Sequence, residues 1–144
     1  MCDKPGNGYV VVDPDQVADR YSDSDELLGD FRPVTNALRC EQLAAALIRV
    51  AAHSGFEQGT GHFNGELEEL YLLTRGTLTM RFGDHVRKVS APAAVRVAKC
   101  TPHSYRNEDD EPVELWAVSR KLDGPDSPGL DADFWEASPE PWAA

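Results

Sequence analysis

From Gln42 to Val118 the chain repeats one pattern, in which short apolar and β-branched runs are divided at brief intervals by Gly, Asp, Ser and Pro. Leu70-Tyr71-Leu72-Leu73 leads to Arg75-Gly76, and residues 77–82 then alternate threonine with larger apolar side chains. This pattern predicts a hairpin turning at Gly76. Gly83-Asp84 supplies another turn, followed by strands at residues 86–89 and 95–97 and a last clear one at residues 114–118. Residues 42–52 are locally ambiguous: Leu43-Ala44-Ala45-Ala46-Leu47-Ile48 has strong helix propensity, whereas Leu47-Ile48-Arg49-Val50 is β-prone. The rhythm downstream decides for a strand. Short, evenly spaced strands predict an all-β sandwich or a barrel closed on itself, which leaves no long edge exposed.

The two ends depart from this rhythm. Residues 1–31 read as a lead-in: Gly6-Asn7-Gly8 is turn chemistry, Tyr9-Val10-Val11-Val12 is a short β-prone run, and Asp13-Pro14-Asp15 ends it. So short a strand is not stable alone, so it is expected to pair with the main sheet's edge or a neighbouring subunit, the alternative being a frayed terminus. From residue 122 onward Gly124, Pro125, Pro128, Gly129, Pro139 and Pro141 break any long element. Yet Phe134-Trp135 and Trp142 are too apolar for a purely solvated linker. They are expected to fold back or to bury against a second subunit, the alternative being a loosely ordered tail. The β-prone lead-in and the Trp-bearing tail together motivate a homodimer.

Length and charge narrow the function. A chain of 144 residues with 41% apolar residues is one globular domain. The net charge of −11 argues against nucleic acid and anionic membranes, whose binding draws on Lys and Arg. No run approaches the roughly 18 apolar residues of a spanning helix, and nothing near Met1 resembles a signal peptide, so a soluble cytoplasmic protein is expected. Cys2, Cys40 and Cys100 are widely spaced and form no CxxC pair, which indicates free thiols.

Candidate chemistry is concentrated in residues 61–107. Side chains two apart on a strand share a face, so His62 goes with Asn64, Glu69 with Tyr71 and Leu73, and His103 with Tyr105. Two imidazoles and a carboxylate are a ligand set that holds a divalent metal with positions open for water or substrate. His62, Glu69 and His103 would supply it. His53 and His85 sit at turns and are expected in solvent, as are Glu66, Glu68 and the run Glu108-Asp109-Asp110-Glu111.

These residues resemble the motifs of the cupin superfamily. Its first motif is His-x-His, three or four residues, Glu, six residues, Gly. Here His62-Phe63-Asn64, Glu69 and Gly76 match at every position but the second histidine. Its second motif, Pro-x-Gly-x-x-His-x-x-x-Asn, is matched by His103 and Asn107, with Ala98 and Cys100 at the proline and glycine positions. The resemblance covers residues 32–121 and implies a double-stranded β-helix, or jelly-roll barrel, often dimeric, with the site inside its mouth. It places His62, Glu69 and His103 on metal-ligand positions, Asn64 on the fourth, and Asn107 on a structural position.

An amide oxygen is a weaker ligand than imidazole, so Asn64 lowers metal affinity without removing a set sufficient for Fe, Mn, Zn or Ni. Two functions follow for the small-molecule ligand expected in the barrel. One is a metal-dependent oxygenase, isomerase or cyclase, with Tyr71, Tyr105, Arg49 and Arg81 as candidates to orient the substrate. The other is a metal-free ligand-binding or sensing barrel without catalysis.

Overall fold

The computed structural model describes residues 8–20, 29–55, 61–124, 129–131 and 134–135. Its strands, in chain order, are β1 (Gly29–Pro33), β2 (Leu43–Val50), β3 (Ser54–Gly55), β4 (Gly61–Phe63), β5 (Glu69–Arg75), β6 (Thr77–Phe82), β7 (His85–Ser90), β8 (Ala93–Val97), β9 (His103–Asn107), β10 (Val113–Arg120) and β11 (Gly129–Asp131). The only helical element among the described residues is a 3-10 turn at Pro14–Gln16. One sheet has the order β1-β2-β10-β5-β8, the other β11-β4-β9-β6-β7, with β3 also on β9. All these pairings are antiparallel. The result is the all-β jelly roll that the strand rhythm and the motifs predicted.

Alternation places the core between the sheets. Ile48 and Val50 from β2, Tyr71 and Leu73 from β5, Leu78 and Met80 from β6, Tyr105 from β9, and Val113 and Leu115 from β10 pack as one cluster. Burying each such aliphatic side chain is worth about 1.5–3 kcal/mol, which is the main term holding the sheets together. The alanine-rich β2 is a strand, despite its helix propensity, because it lies between β1 and β10 and is laddered along its length by β10.

The structure corrects the hairpin expected at Gly76. β5 pairs with β10 and β8, and β6 with β7 and β9, so Gly76 carries the chain from one sheet to the other. Its φ of +83° suits glycine, and a Cβ there would stand 2.8 Å from both Pro112 O and Val113 Cγ2. The local hairpin is the next one, β6–β7, turning at Gly83-Asp84 with Phe82 opposite His85.

Of the readings offered for the lead-in, pairing with the edge of the main sheet is not found. Tyr9-Val10-Val11-Val12 joins no ladder among the described residues, and Tyr9 and Val11 are 72% and 84% exposed. Among the described residues the first ladder begins at Gly29.

At the other end the described part of the tail lies back on the sheet. β11 pairs with β4, and Phe134 and Trp135 are buried. Trp135 Nε1 donates to Ser104 Oγ at 2.9 Å, with the Arg106 guanidinium 4.1 Å from its ring. Gly61 admits this packing, since a Cβ there would overlap the Phe134 ring. Trp142 lies outside the described residues.

Candidate metal centre

The centre joins the two sheets. His62 on β4 and His103 on β9 are directly opposed across their ladder, which brings their rings to 4.3 Å between centroids. Glu69 enters from the start of β5 in the other sheet, its Oε1 3.7 Å from His103 Nε2. One donor atom from each of the three lies within 4.8 Å of the others.

Two turns hold these strands in place. Asn64 Oδ1 accepts two hydrogen bonds from the backbone, Glu66 N at 2.8 Å and Leu67 N at 3.1 Å, so this amide shapes the turn into β5. The fourth metal donor expected at Asn64 is therefore not offered: the two lone pairs of its oxygen are engaged. The same residue's backbone carbonyl accepts from Cys100 N at 2.7 Å, tying this turn to the one before β9. Cys100 stands in the left-handed region at φ +65°, so the bend usually made by glycine persists without it. Asn107 is structural, as its motif position implied. Its Nδ2 donates to Val50 O and Glu111 O, and its Oδ1 accepts from Asp109 N.

The protonation pattern follows from the partners. His103 Nδ1 lies 2.8 Å from Thr101 O, an acceptor, so Nδ1 carries the proton and Nε2 a lone pair. Burial, and then the neighbouring His62, push the His103 pKa below its ordinary value, against the opposing pull of Thr101 O and Glu69. A neutral ring with an inward lone pair is the form that ligates metal. The Tyr71 hydroxyl has one proton and faces two acceptors, Glu69 Oε2 at 2.7 Å and His103 Nε2 at 3.0 Å. One contact is therefore left without a hydrogen, a deficit that a cation or a ligand donor would fill. His62 Nδ1 is buried and has no hydrogen-bond partner among the described residues. Two imidazoles, one of them with an unsatisfied nitrogen, and a carboxylate fit a divalent ion.

The centre opens on a cavity of about 370 Å³. His62, Glu69, Tyr71 and Tyr105 line its wall, and the buried His103 stands behind them. Ala44, Ala46 and Ala117 make room by being small, and Arg20 and Arg120 also line it. Neither arginine carries a motif signal; only the fold brings the lead-in and the end of β10 together.

Two of the expected substrate-orienting residues are elsewhere. Arg49 pairs with Asp15, Asp30 and Glu114 and is not among the cavity's lining residues. Arg81 is buried beneath the tail, donating to Phe134 O and, at 2.7 Å, to Gly83 O. Alternation carried the signal in both cases, because Arg49 lies between Ile48 and Val50, and Arg81 next to Met80, all core residues. His53, His85, Glu66 and Glu68 are exposed, with His53 bonded to Asp110 and Glu68 to Arg96.

The family model of the cupin domain matches residues 50–119. The chain is a small cupin-domain protein. Its structure is similar to that of a cupin protein from Bacteroides fragilis, at TM-score 0.65 and 14% identity, covering 85% of this chain and 92% of that one. A cupin-superfamily sugar phosphate isomerase from Silicibacter pomeroyi is matched at TM-score 0.62 and 14% identity, over 78% of this chain and 76% of that one. The FeII form of HppE is matched at TM-score 0.62 and 16% identity, over 81% of this chain and 62% of that one. No curated protein matches this chain. At these identities the likeness is one of fold. No described helix of this cupin is long and apolar enough to cross a membrane.

Proposed function

We propose that this cupin holds a divalent metal ion at His62, Glu69 and His103 and binds or transforms a small organic molecule in the adjoining cavity. The observation that carries the reading is the convergence of the three donor atoms within 4.8 Å, from strands of both sheets. The unpartnered His62 Nδ1 and the His103 tautomer support it. A bound ion would act as a Lewis acid on an oxygen of the ligand. The chain's own contribution is to present His62 and Glu69 at the cavity wall, with Tyr71 and Tyr105 beside them as hydroxyl groups for ligand orientation. Two imidazoles and one carboxylate suit iron or manganese, and also zinc or nickel. The chemical class is a metal-dependent oxygenase, isomerase or cyclase.

The test is elemental analysis of protein purified without chelator or affinity-tag metal, beside a His103→Ala variant. About one ion per chain, lost in the variant, is the expected outcome. A second reading draws on the Tyr71 hydroxyl, which lies within hydrogen-bond distance of both Glu69 and His103 and leaves one of them to a ligand donor. In that reading the barrel captures its ligand metal-free and does no chemistry. Absence of metal from every preparation, with a ligand still bound, would decide for it.

A further inference from the structure

Charge in this chain is unevenly matched. Asp and Glu number 25 against 14 Lys and Arg, and the arginines on the outer surfaces are commonly paired. Arg32 meets Asp30, Arg49 meets Asp15, Arg75 meets Glu111 and Arg96 meets Glu68. Arg39 and Arg87 have no ion pair among the described residues, but of the arginines only Arg20 and Arg120 line the cavity. Arg20 lies with its guanidinium 4.3 Å from the Phe31 ring centroid, and Phe31 is itself a cavity residue. Arg120 donates to the neutral Glu66 carbonyl at 3.4 Å. Neither forms an ion pair with a carboxylate among the described residues. Among the described residues each is thus positioned by a neutral contact, with no carboxylate partner and guanidinium donors left over.

We propose that Arg20 and Arg120 bind the anionic group, a carboxylate or phosphate, of the small molecule whose other end reaches the His62–Glu69–His103 centre. This rests on the small-molecule reading above and adds a substrate class to it. The arginines belong to the same cavity as His62, Glu69 and Tyr71, with Ala44, Ala46 and Ala117 contributing small apolar surface. That lining suits a compact organic anion whose short apolar body is flanked by two polar ends. The protein's net charge of −11 repels anions at long range, so binding one depends on fixed local cations. Guanidinium is the side chain whose donor fork matches both carboxylate and phosphate.

The test uses the full chain and three probes with one carbon body, namely butyrate, butyl phosphate and the neutral n-butanol. Binding is followed by protein-observed NMR titration, with and without chelator. Both anions, or one of them, are expected to bind at least about fivefold tighter than butanol, the preferred anion distinguishing carboxylate from phosphate. Arg20→Gln and Arg120→Gln should each weaken anion binding by about fivefold and leave butanol unchanged. Arg20→Lys and Arg120→Lys should restore part of the loss. Arg87→Gln, an exposed arginine off the cavity, is the control and should change neither. Arginine-dependent anion binding in chelated protein would uphold this inference even if the metal reading failed. Equal affinity for butanol and the anions, or full anion affinity in both glutamine variants, would overturn it whatever the metal content.

Discussion

Cys100 holds a backbone conformation that crowds its Cβ against the following carbonyl, at φ +65°, where the cupin motif has glycine. Its side chain is exposed, so little packing compensates. Cys100→Gly is expected to stabilise the protein by about 1 kcal/mol, the relief of crowding outweighing glycine's larger unfolded-state entropy. A urea midpoint shifted upward at constant slope would show it, whereas a downward shift would contradict this account of the turn. At this scale the sequence singled out His62, Glu69 and His103, which the fold groups together, because strand parity and motif spacing act through near neighbours. Asn64 was harder to read: whether its amide oxygen ligates or caps depends on where Glu66 N and Leu67 N come to lie. Arg20 and Arg120 were invisible for a related reason, since no local pattern states that the lead-in and the end of β10 share one cavity.

Strands were legible as elements more readily than as partners. β2 is legible as a strand despite its alanine helix propensity, because the surrounding rhythm outweighs the local preference. The turn at Gly76 is legible too, but not what it connects. A hairpin and a sheet-to-sheet crossing need the same positive-φ glycine, and only the ladders with β10 and β9 tell them apart. This gives Gly76 a heavier structural role than a hairpin glycine has. Gly76→Ala would combine a positive φ with contacts of 2.8 Å to Pro112 O and Val113 Cγ2, backbone and core atoms that cannot easily retreat. A loss of about 2–3 kcal/mol is expected, from backbone strain and overpacking together. Equilibrium unfolding measures it, and a loss below about 0.5 kcal/mol, the range of an ordinary surface change, would show that the crossing is not constrained as described.

Across the whole molecule the tail acts as a strap on the outside of the β9-containing sheet. Phe134 and Trp135 pack with Val86, and Arg81 and Arg106 lie over their rings at 4.4 and 4.1 Å. Trp135→Ala removes this aromatic surface and the hydrogen bond to Ser104 Oγ, and should cost about 3 kcal/mol. Thermal unfolding would register it as a drop of several degrees. Because Ser104 follows His103 on β9, the same variant tests whether strap and site are coupled: resonances of His103 should shift along with those of Ser104. An unchanged melting temperature would mean that the strap does not hold the barrel.

The amino-acid sequence alone determined the strand rhythm, the positions of the bends and the three residues that could ligate a metal. Each is set by alternation and turn chemistry within a few neighbours. Tertiary structure decided which strands are partners, that Gly76 crosses between sheets, that Arg49 and Arg81 leave the cavity to Arg20 and Arg120, and that Asn64 caps a turn. Those outcomes depend on contacts between residues far apart in the chain, such as His62 opposite His103 and Trp135 against Ser104, which are fixed only when the sheets close.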